Sequence, residues 1–181
     1  MSVVDDEQAV VRQLQDREEI REVLQHYCFL VDTKQPDRIA DECFTEDAAD
    51  YHSETTDPPM VSRGRDAIRA FFRGAMSLVE NTQHFLGNFH IELDGDRAHS
   101  RVYVWASHWM ADSPTAGDRM RPADVILTVA YDDELQRTSG GWRIKSRRLH
   151  AFGPGSSLAV GALPLALQPG MGRDLYGAQA R

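Results

Sequence analysis

The chain has 181 residues, 41% of them hydrophobic, which is enough for one domain with a sizeable core. A formal charge of -8 argues against a nucleic-acid partner, because phosphate binding needs a concentrated basic surface. No stretch reaches the roughly 18 apolar residues of a membrane span, the acidic start "MSVVDDEQAVV" lacks the basic region of a secretory leader, and the two cysteines, Cys28 and Cys43, are too few for a disulfide framework.

These exclusions lead to the expectation of a cytoplasmic protein with neither a membrane nor a nucleic-acid partner. From residue 7 to about 34, Ile20, Val23, Leu24, Tyr27 and Val31 recur at helical spacing and predict one long amphipathic helix. Pro36 and Asp37 punctuate it, and "PDRIADECF" reads as a second, short helix. "TEDAADYHS" reads as a turn into a short strand, and residues 53–63 as a polar, proline-bearing loop. "GRDAIRAFFRGAMSLV" restores helical spacing and makes a third helix. From residue 82 the period is two: a pair of strands turns at Asp94-Gly95-Asp96, and a second pair, "ADVILTVAYDDELQR" and "GWRIKSRRLHAF", turns around "TSGG". Helices followed by antiparallel hairpins predict an α+β domain in which a curved sheet wraps over helices on one face. The domain is expected over residues 1–153. The Gly-, Pro- and Leu-rich tail, 154–181, is expected to pack at a subunit interface.

Two titratable residues interrupt otherwise apolar segments. At about 100° per residue, Asp32 falls at the edge of the apolar stripe of the first helix, beside Cys28. His84 stands in "TQHFLGN" at the start of a strand. Each alone is equally well read as an ordinary polar residue satisfied by a neighbour. A helix packed across the mouth of a curved sheet can bring the two together. In an Asp–His pair the carboxylate holds one ring nitrogen and raises the basicity of the other, which can then take a proton from carbon.

The segments "REEIREVLQHYCFLVDTKQPDRIADECFTEDA", "GRDAIRAFF", "TQHFLGN" and "GGWRIKSRRL", in that order and spacing, resemble the SnoaL-like group of the nuclear-transport-factor-2-like superfamily over roughly residues 10–152. The resemblance implies a cone-shaped α+β barrel: a strongly curved mixed, mainly antiparallel sheet around three helices, enclosing a deep apolar pocket. Members of this group include scytalone dehydratase, the lindane dehydrochlorinase and the bile-acid 7α-dehydratase, which eliminate without a metal through an Asp–His dyad. Asp32 and His84 fall on the dyad positions. Tyr27 falls where the bile-acid enzyme has tyrosine and the dehydrochlorinase lysine. Asp50 stands where the dehydrochlorinase has tryptophan, so the resemblance favours dehydration over dehalogenation.

Alternation adds substrate-binding candidates. With His84 inward, Leu86 and Asn88 share its face; on the next strand Val102, Val104, Ala106 and His108 share one face and Tyr103, Trp105 and Trp109 the other. His108, near the second histidine of scytalone dehydratase, is either a pocket group or packed core. Arg148 has the parity of Trp142 and Ile144 and is expected inward, with Arg147 outward unless a bulge intervenes. Tyr51 and His52 either reach the pocket or lie at the surface. No metal-ligand spacing, GxGxxG, phosphate loop or GxSxG elbow occurs, so neither metal nor cofactor is expected. The expected function is a cofactor-independent lyase of dehydratase type, acting on a small hydrophobic cyclic or polyketide-like molecule. His84 is its base, Asp32 orients His84, and Tyr27 donates to the leaving oxygen or enolate. The alternatives are a ketosteroid-isomerase-like isomerase, a polyketide cyclase, or a non-catalytic binding domain resembling the small subunit of ring-hydroxylating dioxygenases. The aromatic outer face and the resemblance lead to a homo-oligomer, a trimer first and a dimer next.

Overall fold

The computed structural model describes residues 3–53, 58–151 and 157–159. Its first element, α1 (Val3–Asp32), is one unbroken helix whose Ile20, Val23, Leu24, Tyr27 and Val31 are buried, as the spacing predicts. It stops because Lys34 adopts the left-handed conformation (φ 55°), the Gln35 N–H turns back to the Leu30 carbonyl at 2.8 Å, and Pro36 cannot extend the ladder. The second helix is shorter than expected. α2 (Pro36–Arg38) is a single turn opened by its proline, and it passes into a wide π-type turn, Ile39–Cys43, that buries Ile39, Ala40 and Cys43.

Phe44 is already extended, so the expected turn before the first strand is absent and β1 (Phe44–Ser53) runs for 10 residues. The polar loop expected at 53–63 contains a strand, β2 (Met60–Arg63), paired antiparallel with β1. As a four-residue edge strand with no fully buried position, it leaves no alternation to read. Gly64, at φ 79°, turns the chain into α3 (Arg65–Leu78), whose Ile68, Phe72 and Met76 enter the core. The two hairpins follow as β3 (Val79–Asp94) with β4 (Arg97–Met110), and β5 (Val125–Thr138) with β6 (Gly141–Ala151). The strand order is β2-β1-β6-β5-β4-β3, and β1 runs parallel to β6 while every other pair is antiparallel. The architecture is therefore the expected α+β one with a mixed, mainly antiparallel sheet, but among the described residues β2 and β3 remain edges and the sheet is open rather than a closed barrel. The expectation for the 154–181 tail lies almost wholly outside the described residues. Within it, β7 (Ser157–Ala159) pairs with β5.

Two bulges re-aim side chains. On β6, Ile144 faces Leu135 while Ser146 faces Glu134, so Lys145 is an extra residue. Parity flips there: Arg147 turns inward and is fully buried, whereas Arg148 turns away. On β3, Gly87 faces Tyr103 but His90 faces Arg101, and Asn88 takes up the extra residue with φ 52°. Phe89 and Ile91 therefore succeed Leu86 on the inner face.

Candidate active site

The end of α1 lies across β3, and the Lys34 ammonium binds the carbonyl of Val79, the first residue of β3, anchoring the helix terminus to the strand. This places Asp32 over His84. Asp32 Oδ1 lies 2.7 Å from His84 Nδ1, and Asp32 Oδ2 accepts the His84 backbone N–H at 3.0 Å. Thr82 Oγ1 stands 3.3 Å from the same ring nitrogen. A carboxylate in the last turn of a helix opposes the helix dipole, typically by about 0.3–1 kcal/mol, and no basic residue in that turn offsets it. Both oxygens are instead committed to His84, a placement that serves geometry rather than helix stability. With Nδ1 on Asp32, Nε2 is the ring nitrogen left for a molecule in the cavity that His84 lines.

That cavity, of about 90 Å³, is closed by Val31, Phe71, Phe72 and Met76 on the helical side and by Ala106, Leu127, Val129 and Leu149 on the sheet. Three histidines enter it: His84, His108 and His52. The rings of His108 and His84 meet at 85° with centroids 5.7 Å apart, and His108 Nδ1 is buried without a hydrogen bond among the described residues. Burial, then the neighbouring His84 and His52, lowers its pKa from 6.5 to about 4, so the ring is neutral near pH 7. Thr82 also borders a wider open cleft of about 840 Å³, formed by Asp32, Glu80, Trp109 and residues 118–122. Arg121 pins this β4–β5 loop to the sheet, bonding Glu80 at 2.7 Å and Asp124 at 2.6 Å.

Tyr27 lines the floor of the cavity and is fully buried. Its ring meets Phe44, Phe72 and Tyr131 edge-on at 6.1, 5.8 and 5.8 Å. Beneath it Arg147 lies 4.1 Å from the Tyr27 ring centre and 4.2 Å from that of Tyr131, and its Nε and Nη2 bond the Asp133 carboxylate at 2.8 and 2.7 Å. Burial opposes both charges of this pair. It pushes the Asp133 carboxyl up, while Asp133 and the two rings hold Arg147 above its ordinary value. Burial also pushes the Tyr27 phenol far up, with Arg147 pulling it back, so Tyr27 is a hydrogen-bond donor that gives up its proton reluctantly.

Four expected substrate-binding positions lie elsewhere. Arg148 does not face the cavity, because the Lys145 bulge turns it outward onto the Tyr51 ring at 3.9 Å. Tyr51 shares that outer face, between Arg148 and Arg63, and it is His52 that points in. Asn88 is solvent-exposed at the β3 bulge. Val104 faces inward as expected but is packed in the core rather than at the cavity wall. Asp133 was not legible as a site-adjacent group, Arg147 was expected inward only if a bulge intervened, and Asp50 was singled out only through the family resemblance; the regular parity of Ala48, Asp50 and His52 on β1 was the available signal. Cys28 and Cys43 are free and buried, and burial pushes both thiols up to about 12. Among the described residues no three His, Cys, Asp or Glu side chains gather as metal ligands do, and no helix is long and apolar enough to cross a membrane.

The uncharacterized protein Rv2910c of Mycobacterium tuberculosis (strain H37Rv) is 31% identical over 147 residues, covering 81% of this chain and 92% of that one. Among solved structures, a scytalone dehydratase-like protein from Novosphingobium aromaticivorans superposes with a TM-score of 0.64 at 22% identity, covering 84% of this chain and 97% of its own. A type 2 hexachlorocyclohexane dehydrochlorinase superposes with a TM-score of 0.63 at 17% identity, covering 82% and 93%. At such identities these two show a shared fold. The SnoaL-like domain pattern matches residues 12–148, which span α1 through β6, the dyad positions and the cavity, and the chain belongs to the SnoaL-like domain family.

Proposed function

We propose that the protein is a cofactor-independent lyase that removes water from a small hydrophobic cyclic or polyketide-like molecule bearing an acidic C–H. The observation that carries this reading is the two-point grip of Asp32 on His84, on the ring nitrogen and on the backbone N–H, at the wall of an apolar cavity. Nε2 of His84 takes the proton from carbon, and Asp32 stabilises the resulting imidazolium and fixes its tautomer. A positioned base of this kind contributes about 10² to 10⁴-fold. Tyr27 donates a hydrogen bond to the oxygen on which charge develops. His108, neutral near pH 7, adds a second uncharged imidazole edge beside His84.

The cavity is small for a ring: an engineered cavity of about 150 Å³ is known to hold benzene. A cyclic substrate therefore requires the α3 wall, Phe71, Ala75 and Met76, to move outward, or part of the molecule to sit in the open cleft beyond Thr82. On the outer face Phe85, Tyr103 and Trp105 remain 59, 45 and 37% exposed, and burial of these rings between copies is the basis for reading a homo-oligomer, with a trimer first. Light scattering of the purified chain tests that reading, and a monomer at micromolar concentration contradicts it. The activity is tested by incubating the protein with a panel of hydroxylated cyclic ketones and following mass. Loss of one water that disappears in His84→Ala supports the lyase; unchanged mass with a shifted double bond marks an isomerase instead.

A further inference from the structure

Asp50 lies on the inner face of β1 between Ala48 and His52, 1% exposed, and neither of its carboxylate oxygens has a hydrogen-bond partner among the described residues. Orphaned carboxylates at such depth are rare in native proteins, since a charge removed from water needs a compensating donor or counter-charge. Arg147 Nη1, on the β6 residue that faces Asp50 in register, is buried and unbonded among the described residues, and His52 Nδ1, likewise buried and unbonded, lies 3.7 Å from Asp50 Oδ2. A movement of a few tenths of an ångström turns this approach into an N–H···O bond. His52 is held in place by Phe71, whose ring centre lies 4.7 Å from its own, and by the edge of Phe72 at 6.3 Å. β1 and β3 are separated by three strands in the sheet, yet the curl of the sheet brings His52 and His84 to one cavity, with His108 close enough to both to be lowered by each.

We infer that Asp50 and His52 form a second carboxylate–imidazole pair in the cavity, in which His52 is the general acid that protonates the leaving oxygen and Asp50 positions it. The inference rests on the lyase reading and replaces Tyr27 as the proton source, leaving that buried phenol as a hydrogen-bond donor. Before reaction the pair carries one proton on each ring nitrogen of His52 and a negative Asp50, and so has no net charge. His84 Nε2 takes the proton from carbon, and the C–H electron pair becomes the new C=C bond. The C–O bond breaks with its electrons on oxygen, which takes the Nε2 proton of His52 and leaves as water. His84 then holds one proton more and His52 one fewer, and exchange with solvent through the open cleft resets both.

Two measurements test this. With 3-hydroxycyclohexanone and 3-acetoxycyclohexanone as probes, both giving cyclohexenone, the first leaving group needs a proton and the acetate does not. His52→Gln is expected to slow the hydroxy compound by about 10² to 10⁴-fold and the acetoxy compound by less than about threefold. His84→Ala is expected to slow both. Equal slowing of the two compounds by His52→Gln, or slowing of neither, overturns the inference while leaving the base assignment standing. The second measurement needs no substrate: nitrogen NMR of histidine-labelled protein is expected to show a proton on His52 Nδ1 whose signal shifts in Asp50→Asn. An unprotonated Nδ1, or a signal indifferent to Asp50, overturns the pair whatever the protein's activity proves to be. Asp50→Glu, which keeps the charge, is expected to recover part of the hydroxy-compound rate lost in Asp50→Asn, a recovery that a merely structural role does not produce.

Discussion

Replacing Asp133 with asparagine keeps the shape of the side chain and removes the carboxylate that grips Arg147 at two points. Both partners of that pair are completely buried, and the guanidinium has rings on either side rather than water. Asparagine can accept from one guanidinium N–H through its amide oxygen, but its NH₂ then faces a second donor and the positive charge is left uncompensated. Removing one member of a buried ion pair typically costs about 3–5 kcal/mol, a large part of the roughly 5–15 kcal/mol that holds a domain together. With a urea slope of about 2 kcal/mol per molar, the midpoint of denaturation followed by circular dichroism should fall by about 1.5–2.5 M. In a thermal melt the same change lowers Tm by roughly 6–20 °C for a chain of this length. The double variant Asp133→Leu/Arg147→Met removes both charges and fills similar volume, so it should recover most of the loss. A midpoint shift under about 0.5 M for Asp133→Asn, or a double variant less stable than the single one, refutes the claim that this pair is dry and mutually dependent.

Three further outcomes follow from the geometry. Because the folded pKa of His108 is depressed, to about 4, the folded state resists a proton that the unfolded chain accepts at about 6.5. Stability should therefore fall as pH drops from about 6.5 to 4, by no more than about 1.4 kcal/mol per unit, and His108→Phe should flatten that part of the profile in pH-dependent urea melts. Asn88→Val should lower stability by about 1–2 kcal/mol, because a β-branched residue is forced to positive φ, while Asn88→Gly should cost little; both should leave turnover unchanged since the site is outside the cavity. Cys28 and Cys43, buried and with thiols pushed up to about 12, should react with a thiol reagent only as fast as the fold opens, so labelling faster than unfolding contradicts their placement.

The helical spacing of Ile20 to Val31 and of Ile68 to Met76 was enough to read α1 and α3, because burial on one face repeats every turn. The hairpins were legible through Gly95 and Gly141, both at positive φ where the turns need them. What parity could not see were the bulges. Lys145 and Asn88 each add one residue to a strand without any composition signal, and one residue inverts every later side chain, which is why Arg147 rather than Arg148 is buried and why Asn88 faces water. Edge strand β2 was hidden for a different reason: with one side unpaired and no buried position, its sequence has nothing to alternate. The Asp32 and His84 positions could be singled out because each breaks an apolar run. Asp50 gave no such signal, standing in a segment already rich in acidic residues, and its burial emerges only when β1 is folded against α3 and β6.

The claim that His84 is the base and Asp32 acts through it is tested most directly by a double-mutant cycle on turnover, measured on the first hydroxylated cyclic ketone that the wild-type protein dehydrates. His84→Ala should lower kcat by about 10² to 10⁴-fold with the fold and KM little changed, and Asp32→Asn by a similar order. The double variant should be no slower than the worse single one, because the two residues, joined at 2.7 Å, work as a unit. An active His84→Ala enzyme, or losses that multiply in the double variant, contradicts the account.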